Sequence, residues 1–381
     1  MRQSSALLFV GAVAALSACG GGDSSDSTAS MQQSGSQTPG AAASAYAVTN
    51  LVSDGAVSAV HTDKNLVNPW GIAFNGGGPP LAPVWVANNG SNTSTLYDGN
   101  GSPVPLGTGL LVFKIPAGSN GDAAPTGIVY NGTSSFTLSG LGLGMSASFI
   151  FDGEGGTLAA WTTTELTNAV TVYDDGAGGA VYKGLAIAVN NGANFLYATD
   201  FHNAKIDVFN GSFARVTSAG GFFDPSLPAG YAPFGIQAIG DTIYVTYAQQ
   251  KAPDNHDEVD GAGLGFVDAF DTAGNFRRRI ASAGPLNAPW GIALAPMDFG
   301  QFSGALLVGN FGDGVINAFD AQSGAFLGSL LDAMGNVIAT PGLWGIAFGN
   351  DVMSQSHNAL FFAAGINDEA DGLYGRIDLA Q

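Results

Sequence analysis

The chain has 381 residues, 57 of them glycine, with 46% hydrophobic and only 11% charged residues; 30 acidic side chains against 11 basic ones give a formal net charge of −19. Nucleic-acid binding is excluded, because affinity for a polyanion rests on lysine and arginine neutralising phosphates. A single cysteine, Cys19, excludes an intrachain disulfide, while the apolar fraction is enough for a large core and the acidity suits solubility and neutral, basic or cationic partners.

Arg2 opens a short basic start, Ala6 to Leu16 is an apolar run too short to span a bilayer, and Leu16-Ser17-Ala18-Cys19 follows. The tetrapeptide resembles the bacterial lipobox, so residues 1–18 read as a lipoprotein signal peptide and Cys19 as the lipidated new amino terminus. Gly20, rather than Asp, after that cysteine points to the outer membrane. The expected location is therefore extracytoplasmic, lipid-anchored, facing the periplasm or the cell surface. Residues 19–45 are mostly Gly, Ser, Ala, Gln and Thr and read as a flexible tether.

Residues 46–381 carry short β-rich runs separated by Gly, Asn and Asp, without helical periodicity. One phrase recurs six times, in Pro69-Trp70-Gly71-Ile72, Pro125-Thr126-Gly127-Ile128, Tyr182-Lys183-Gly184-Leu185, Pro233-Phe234-Gly235-Ile236, Pro289-Trp290-Gly291-Ile292 and Leu343-Trp344-Gly345-Ile346, at spacings of 51 to 57 residues. A period of that size means one four-stranded blade per unit. The sixth unit runs out near Arg376-Ile377-Asp378-Leu379 after three strands, and Tyr46 to Val52 is an orphan strand upstream of the first. The expected fold is an all-β, six-bladed β-propeller closed by that N-terminal strand, and a monomer.

In such a ring the residues entering each inner strand surround the axis at one face, together with the loops that follow each second strand. Trp70, Lys183, Phe234, Trp290 and Trp344, with Asn88, Asn89 and Asn310 from the loops, are the candidate ligand-binding residues. The same aromatics can instead pack between blades, and the asparagines can serve local turns. The Gln249 to Gly263 loop is dense in carboxylates, which repel unless solvated or sharing a cation, so Asp254, Asp257, Glu258 and Asp260, with Asn367, Asp368 and Glu369, are candidates for a calcium site. The spacing is not that of an EF-hand. No HExxH, zinc-type Cys/His set or GxSxG elbow occurs, so no catalytic residue is assigned.

Pro-Trp-Gly-Ile-Ala, with Ala198-Thr199-Asp200-Phe201-His202-Asn203-Ala204-Lys205-Ile206-Asp207, resembles NHL-repeat propellers. Asn68-Pro69-Trp70-Gly71 with Val86-Ala87-Asn88-Asn89-Gly90, Asn310-Phe311-Gly312-Asp313-Gly314 and Asn367-Asp368-Glu369 resemble a family of exported bacterial propellers. Asp371 stands where that family carries a histidine. The resemblance implies fold and export. Two functions compete: a binding module for a protein or glycan partner, and a calcium-dependent hydrolase similar to gluconolactonase-type propellers. The second expects Glu, Asn and Asp around a central metal, where this chain presents Trp, Thr, Lys, Phe, Trp and Trp.

Overall fold

The computed structural model describes residues 44–76, 82–106, 109, 111–121, 123–162 and 167–380. The residues expected to form a signal peptide, Cys19, and the stretch up to residue 43 expected to form a tether lie outside the described residues. No helix among the described residues is long and apolar enough to cross a membrane.

Six sheets, antiparallel apart from a two-residue parallel pairing of Val52 and Ser53 with His61 and Thr62, form a six-bladed β-propeller. Blades 1 to 6 begin at the inner strands Pro69–Phe74, Pro125–Tyr130, Tyr182–Asn190, Tyr231–Ile239, Pro289–Leu294 and Leu343–Phe348. In blades 1, 2, 3 and 5 each strand pairs with the next in sequence, and in blade 4 Thr242–Gln250 pairs with Phe266–Asp271 past a short intervening strand. Proline opens three of the inner strands, where the missing N–H costs no ladder bond. Second strands such as Val84–Asn88 and Leu360–Ile366 are buried along their whole length. Each blade is covered on both faces by its neighbours, so these strands read as continuous apolar runs rather than as an alternation.

The sixth blade is completed as expected. Asp371–Leu379 pairs antiparallel with Tyr46–Ser53, with Tyr46 opposite Leu379 and Ser53 opposite Leu373. Tyr46 is buried, its hydroxyl donates to the Phe299 carbonyl at 3.0 Å, and its ring lies 4.9 Å from that of Phe299. The closing strand is thereby tied to blade 5 as well as blade 6. No long sheet edge is left at the seam.

The recurring glycine has a steric cause. A Cβ on Gly71 would lie 2.6 Å from the Thr126 carbonyl oxygen, and one on Gly291 2.6 Å from that of Trp344. On Gly235 and Gly345 it would meet the carbonyls of Trp290 and Trp70 closer still. Each contact runs from one blade to the next, and the Gly345 contact returns to blade 1. The repeat is thus a packing rule written round the axis. Between blades the core is aromatic: Trp85 of blade 1 lies 4.8 Å from Phe113, 4.2 Å from Phe149 and 4.6 Å from Trp161. Burying such a side chain contributes roughly 1.5–3 kcal/mol.

Candidate functional site

Inner strands all begin at one face, and there the axis is closed. Trp70 and Trp344 stack with ring centroids 3.4 Å apart, and Phe311 stacks on the other side of Trp344 at 4.1 Å. Trp290 meets both tryptophans edge-on at 5.7 and 5.9 Å, and Phe234 meets Trp344 at 5.8 Å. Trp70, Phe234, Trp290 and Trp344 do surround the axis, yet they are buried against one another. They form a sealed floor rather than an open mouth. Asn88 and Asn310 are also fully buried. The Asn88 amide donates to Thr93 and Thr95, each at 3.1 Å, and the Asn310 amide donates to the Pro285 carbonyl at 2.8 Å. These two asparagines serve local structure. Asn89 is half-buried and reaches the site.

Lys183 is the one charged residue that enters an inner strand at this layer, and a buried charge requires a partner. Its side chain is only 3% exposed. The ammonium lies 2.5 Å from Glu154 Oε1 and 3.8 Å from Glu258 Oε2, over the rings of Trp70 at 5.2 Å and Phe201 at 5.8 Å. The Asn89 amide donates to Glu154 Oε2 at 2.8 Å; the Asn68 amide donates to Glu369 Oε2 at 3.1 Å; the Trp344 indole donates to Asn68 Oδ1 at 3.1 Å. The Trp290 indole donates to the Lys183 carbonyl at 2.8 Å. Every blade contributes to this assembly of polar groups on an aromatic floor.

The electrostatics follow from one cation among three carboxylates. Burial opposes the charge on Lys183, but Glu154 and Glu258 outweigh it and push the ammonium well above its ordinary pKa. Burial also raises Glu154, and there Lys183 and Asn89 win, holding the carboxyl below its usual range. Burial wins at Glu258, which is raised despite Lys183. Glu369 is pushed up to about 7 by burial and by repulsion from Glu258 and Glu154, so it exchanges a proton near neutrality.

Glu369 also sits in a strained turn. Asn367, Asp368 and Glu369 are consecutive non-glycine residues at φ of 55°, 53° and 65°. Such conformations cost on the order of 1–3 kcal/mol each and persist where surrounding contacts impose them. Two clefts flank the cluster. One, of about 380 Å³, is lined by Asp260, Phe311, Asp313, Asn367, Asp368 and Glu369 among others. The other, of about 440 Å³, is lined by Asn89, Asn92, Asn120, Glu154 and His256 among others.

Of the seven calcium candidates, Asp260, Asn367, Asp368 and Glu369 line one cleft, and Asp254, Asp257 and Glu258 lie outside its lining. Glu258 turns toward Lys183 and Glu369 accepts from the Asn68 amide; Asp254 is held through its carbonyl by His202 at 2.9 Å, and Asp257 through its carboxylate by His256 at 2.9 Å. Asn367 donates to Asp371 at 2.7 Å. Among the described residues no three His, Cys, Asp or Glu are grouped so as to hold a metal ion. The candidate binding residues left out Asn68, Glu154 and Phe201, although the loops that carry Glu154 and Phe201 were expected around this face. The signal for Glu154 was available: Lys183 enters a packed axis, and Asp152-Gly153-Glu154 is the loop of the adjoining blade.

No family model matches the chain. Two proteins of Acanthamoeba polyphaga mimivirus are similar along most of it. Uncharacterized protein R648 is 35% identical over 346 residues, which is 89% of this chain and 82% of that protein. Uncharacterized protein L690 is 32% identical over 348 residues, 89% of this chain and 87% of that protein. Among solved structures, a structural genomics protein of unknown function from Bacteroides thetaiotaomicron VPI-5482 aligns with a TM-score of 0.52 at 10% identity, over 88% of this chain and 76% of that one. At that identity the likeness concerns the fold alone. The relatives reported are viral, where the sequence motifs had suggested a bacterial family.

Proposed function

The chain belongs to the family of the mimivirus proteins R648 and L690, and we propose that it is a binding propeller that takes a neutral or cationic polar ligand, of the glycan class, on the face where its inner strands begin. The observation that carries this reading is the pair of clefts, about 380 and 440 Å³, set beside a polar cluster on a rigid aromatic floor. Their lining supplies amides and carboxylates, groups that bind hydroxyls and ammonium groups by directed hydrogen bonds. The chain's net charge of −19 favours such ligands over anions.

A calcium-dependent hydrolase fits this face less well. The counter-charge that a central dication would bring to Glu154 and Glu258 is already supplied by the Lys183 ammonium. A dication beside it would be repelled. Lys183 itself is held protonated and is neither a nucleophile nor a base.

The Leu16-Ser17-Ala18-Cys19 motif after an apolar run supports export and lipidation at Cys19, which would hold the propeller at a membrane. Mass spectrometry of the mature amino terminus tests this: a diacylated Cys19, abolished by Cys19→Ala, is the expected result. For the binding face, a glycan array probed with the full chain should show retention that Asn89→Ala removes. Chelator-sensitive lactone or ester turnover without any glycan retention would overturn the binding reading in favour of the hydrolase.

A further inference from the structure

The inner strands end at the opposite face, and there the axis is open. A cavity of about 330 Å³ is lined by residues of all six blades, among them Ile72, Ile128, Ile187, Gln237, Ile292 and Phe348. Toward the first face it narrows to a neck of about 40 Å³ at the layer of Gly71, Gly127, Gly291 and Gly345. Beyond the neck stands the stacked Trp70 and Trp344 floor. The cavity is therefore a blind funnel, and a solute that enters by the open end must leave by it.

Its chemistry is unlike that of the acidic face. Among the described residues no charged side chain lines it; the polar side chains are the Gln237 amide and the Tyr130 hydroxyl. Each inner strand is the terminal strand of its sheet. Six strand edges thus turn unpaired N–H and C=O groups toward the axis, and these need water or a ligand as partner. Apolar side chains between sparse, fixed hydrogen-bonding groups are the usual make-up of a small-molecule site, and the volume falls at the lower end of the usual range of about 300–1,000 Å³. A charged solute would lose hydration here without gaining a counter-charge.

We propose that this funnel is a second binding site, separate from the polar face, for an uncharged small molecule with a flat apolar body and one or two hydrogen-bonding groups. Its walls are inner strands packed blade to blade through the axial glycines, so the site is formed before a ligand arrives.

N-Phenyl-1-naphthylamine, neutral, flat and carrying one N–H, is the probe. Titrated into the full chain, it should give a saturable one-to-one fluorescence rise. Gln237→Trp fills the funnel from a position that is already exposed, and should weaken binding at least about tenfold, or 1.4 kcal/mol. Gln237→Glu brings a charge into the same neutral space with little change of volume and should also weaken it, so the test survives if the tryptophan variant fails to fold. Met297, 82% exposed and outside the lining, controls for adhesion to surface apolar groups: Met297→Ser should leave binding unchanged. Circular-dichroism melting verifies the fold of all three. Absence of saturable binding to the unaltered chain overturns the proposal. So does binding that survives both Gln237 variants, or that disappears in Met297→Ser. None of these outcomes bears on glycan retention at the other face.

Discussion

Lys183 of blade 3 and Glu154 of blade 2 stand 2.5 Å apart at the axis, the lysine side chain 3% exposed and the glutamate 15%. The pair joins neighbouring blades beside the cleft that Glu154 lines, and it makes the order of blades 2 and 3 chemically specific rather than merely steric. Lys183→Met should cost about 3–5 kcal/mol, since it leaves buried carboxylates without their cation, and Lys183→Met with Glu154→Gln should cost clearly less than the sum of the singles. In the Lys183→Met variant the remaining carboxyls take up protons on folding, so its stability should fall as pH rises. Urea midpoints at pH 5 and pH 8 for the three variants measure both effects.

Glu369 gives the polar face a pH response. Its folded pKa of about 7 lies above the ordinary 4.5, so the folded protein holds a proton there that the unfolded chain releases between those values. Protonated, Glu369 is an uncharged neighbour of the cleft; ionised, it adds negative charge to it. A cationic ligand should therefore bind more tightly at pH 8 than at pH 6, and Glu369→Gln should flatten that profile. Titration calorimetry with a sugar carrying a quaternary trimethylammonium group, whose charge does not change with pH, reads this directly. A profile unchanged by the substitution would remove Glu369 from the site.

Asp152 carries a similar proton for a different reason. It is buried in blade 2, one oxygen accepting the Gly127 N–H at 2.6 Å and lying 2.9 Å from the Thr126 hydroxyl, while the other has no partner among the described residues. Burial pushes its pKa to about 7, against the hydrogen bonds that favour the charged form. This is a raised acid, so its stabilising contribution is complete below pH 4 and lost as pH climbs toward 7. Asp152→Asn keeps the shape and the acceptor without the charge. Melting temperature should rise relative to wild type at pH 8 and be nearly unchanged at pH 5.

The six-fold phrase told almost everything about the architecture, because glycine at the axis and a 51–57-residue step are each direct consequences of blade geometry. Even the closing strand was readable, as an orphan run whose partner was missing from blade 6. The site was harder. Trp70, Trp290 and Trp344 were identified correctly as axial, but whether axial rings line a hole or fill it depends on side-chain direction at the closing layer, which spacing does not encode. Asn68 was overlooked because its role arises from a corner: it precedes Pro69 at φ 45°, and Ala124 and Ala288 take 39° and 42° at the same point of blades 2 and 5. The corner belongs to the repeat; only blade 1 places an amide on it. Glu369 lies 301 positions from its partner Asn68, and only ring closure brings blade 6 beside blade 1.

That closure predicts a sharp sensitivity. Gly345→Ala forces a methyl against the Trp70 carbonyl, a backbone atom that cannot rotate away, at the joint between the last blade and the first. We expect a loss of about 1–3 kcal/mol from overpacking, whereas Gly335→Ala, with open space around it but a φ of 81°, should cost about 1 kcal/mol from backbone strain alone. Chemical-denaturation midpoints of the two variants separate packing from conformation.

At the seam, the Ala380 amide donates to the Ala45 carbonyl at 2.9 Å, so the first and last residues of the ring are already neighbours. A short linker could splice them, and the polypeptide could be severed in a surface turn of any other blade. Every inter-blade contact would survive such a permutation, while the seam of the circle would move to a blade that is now continuous. The molecule has, in this sense, a circumference without a privileged starting point, and the present one is set by where the chain enters and leaves the ring.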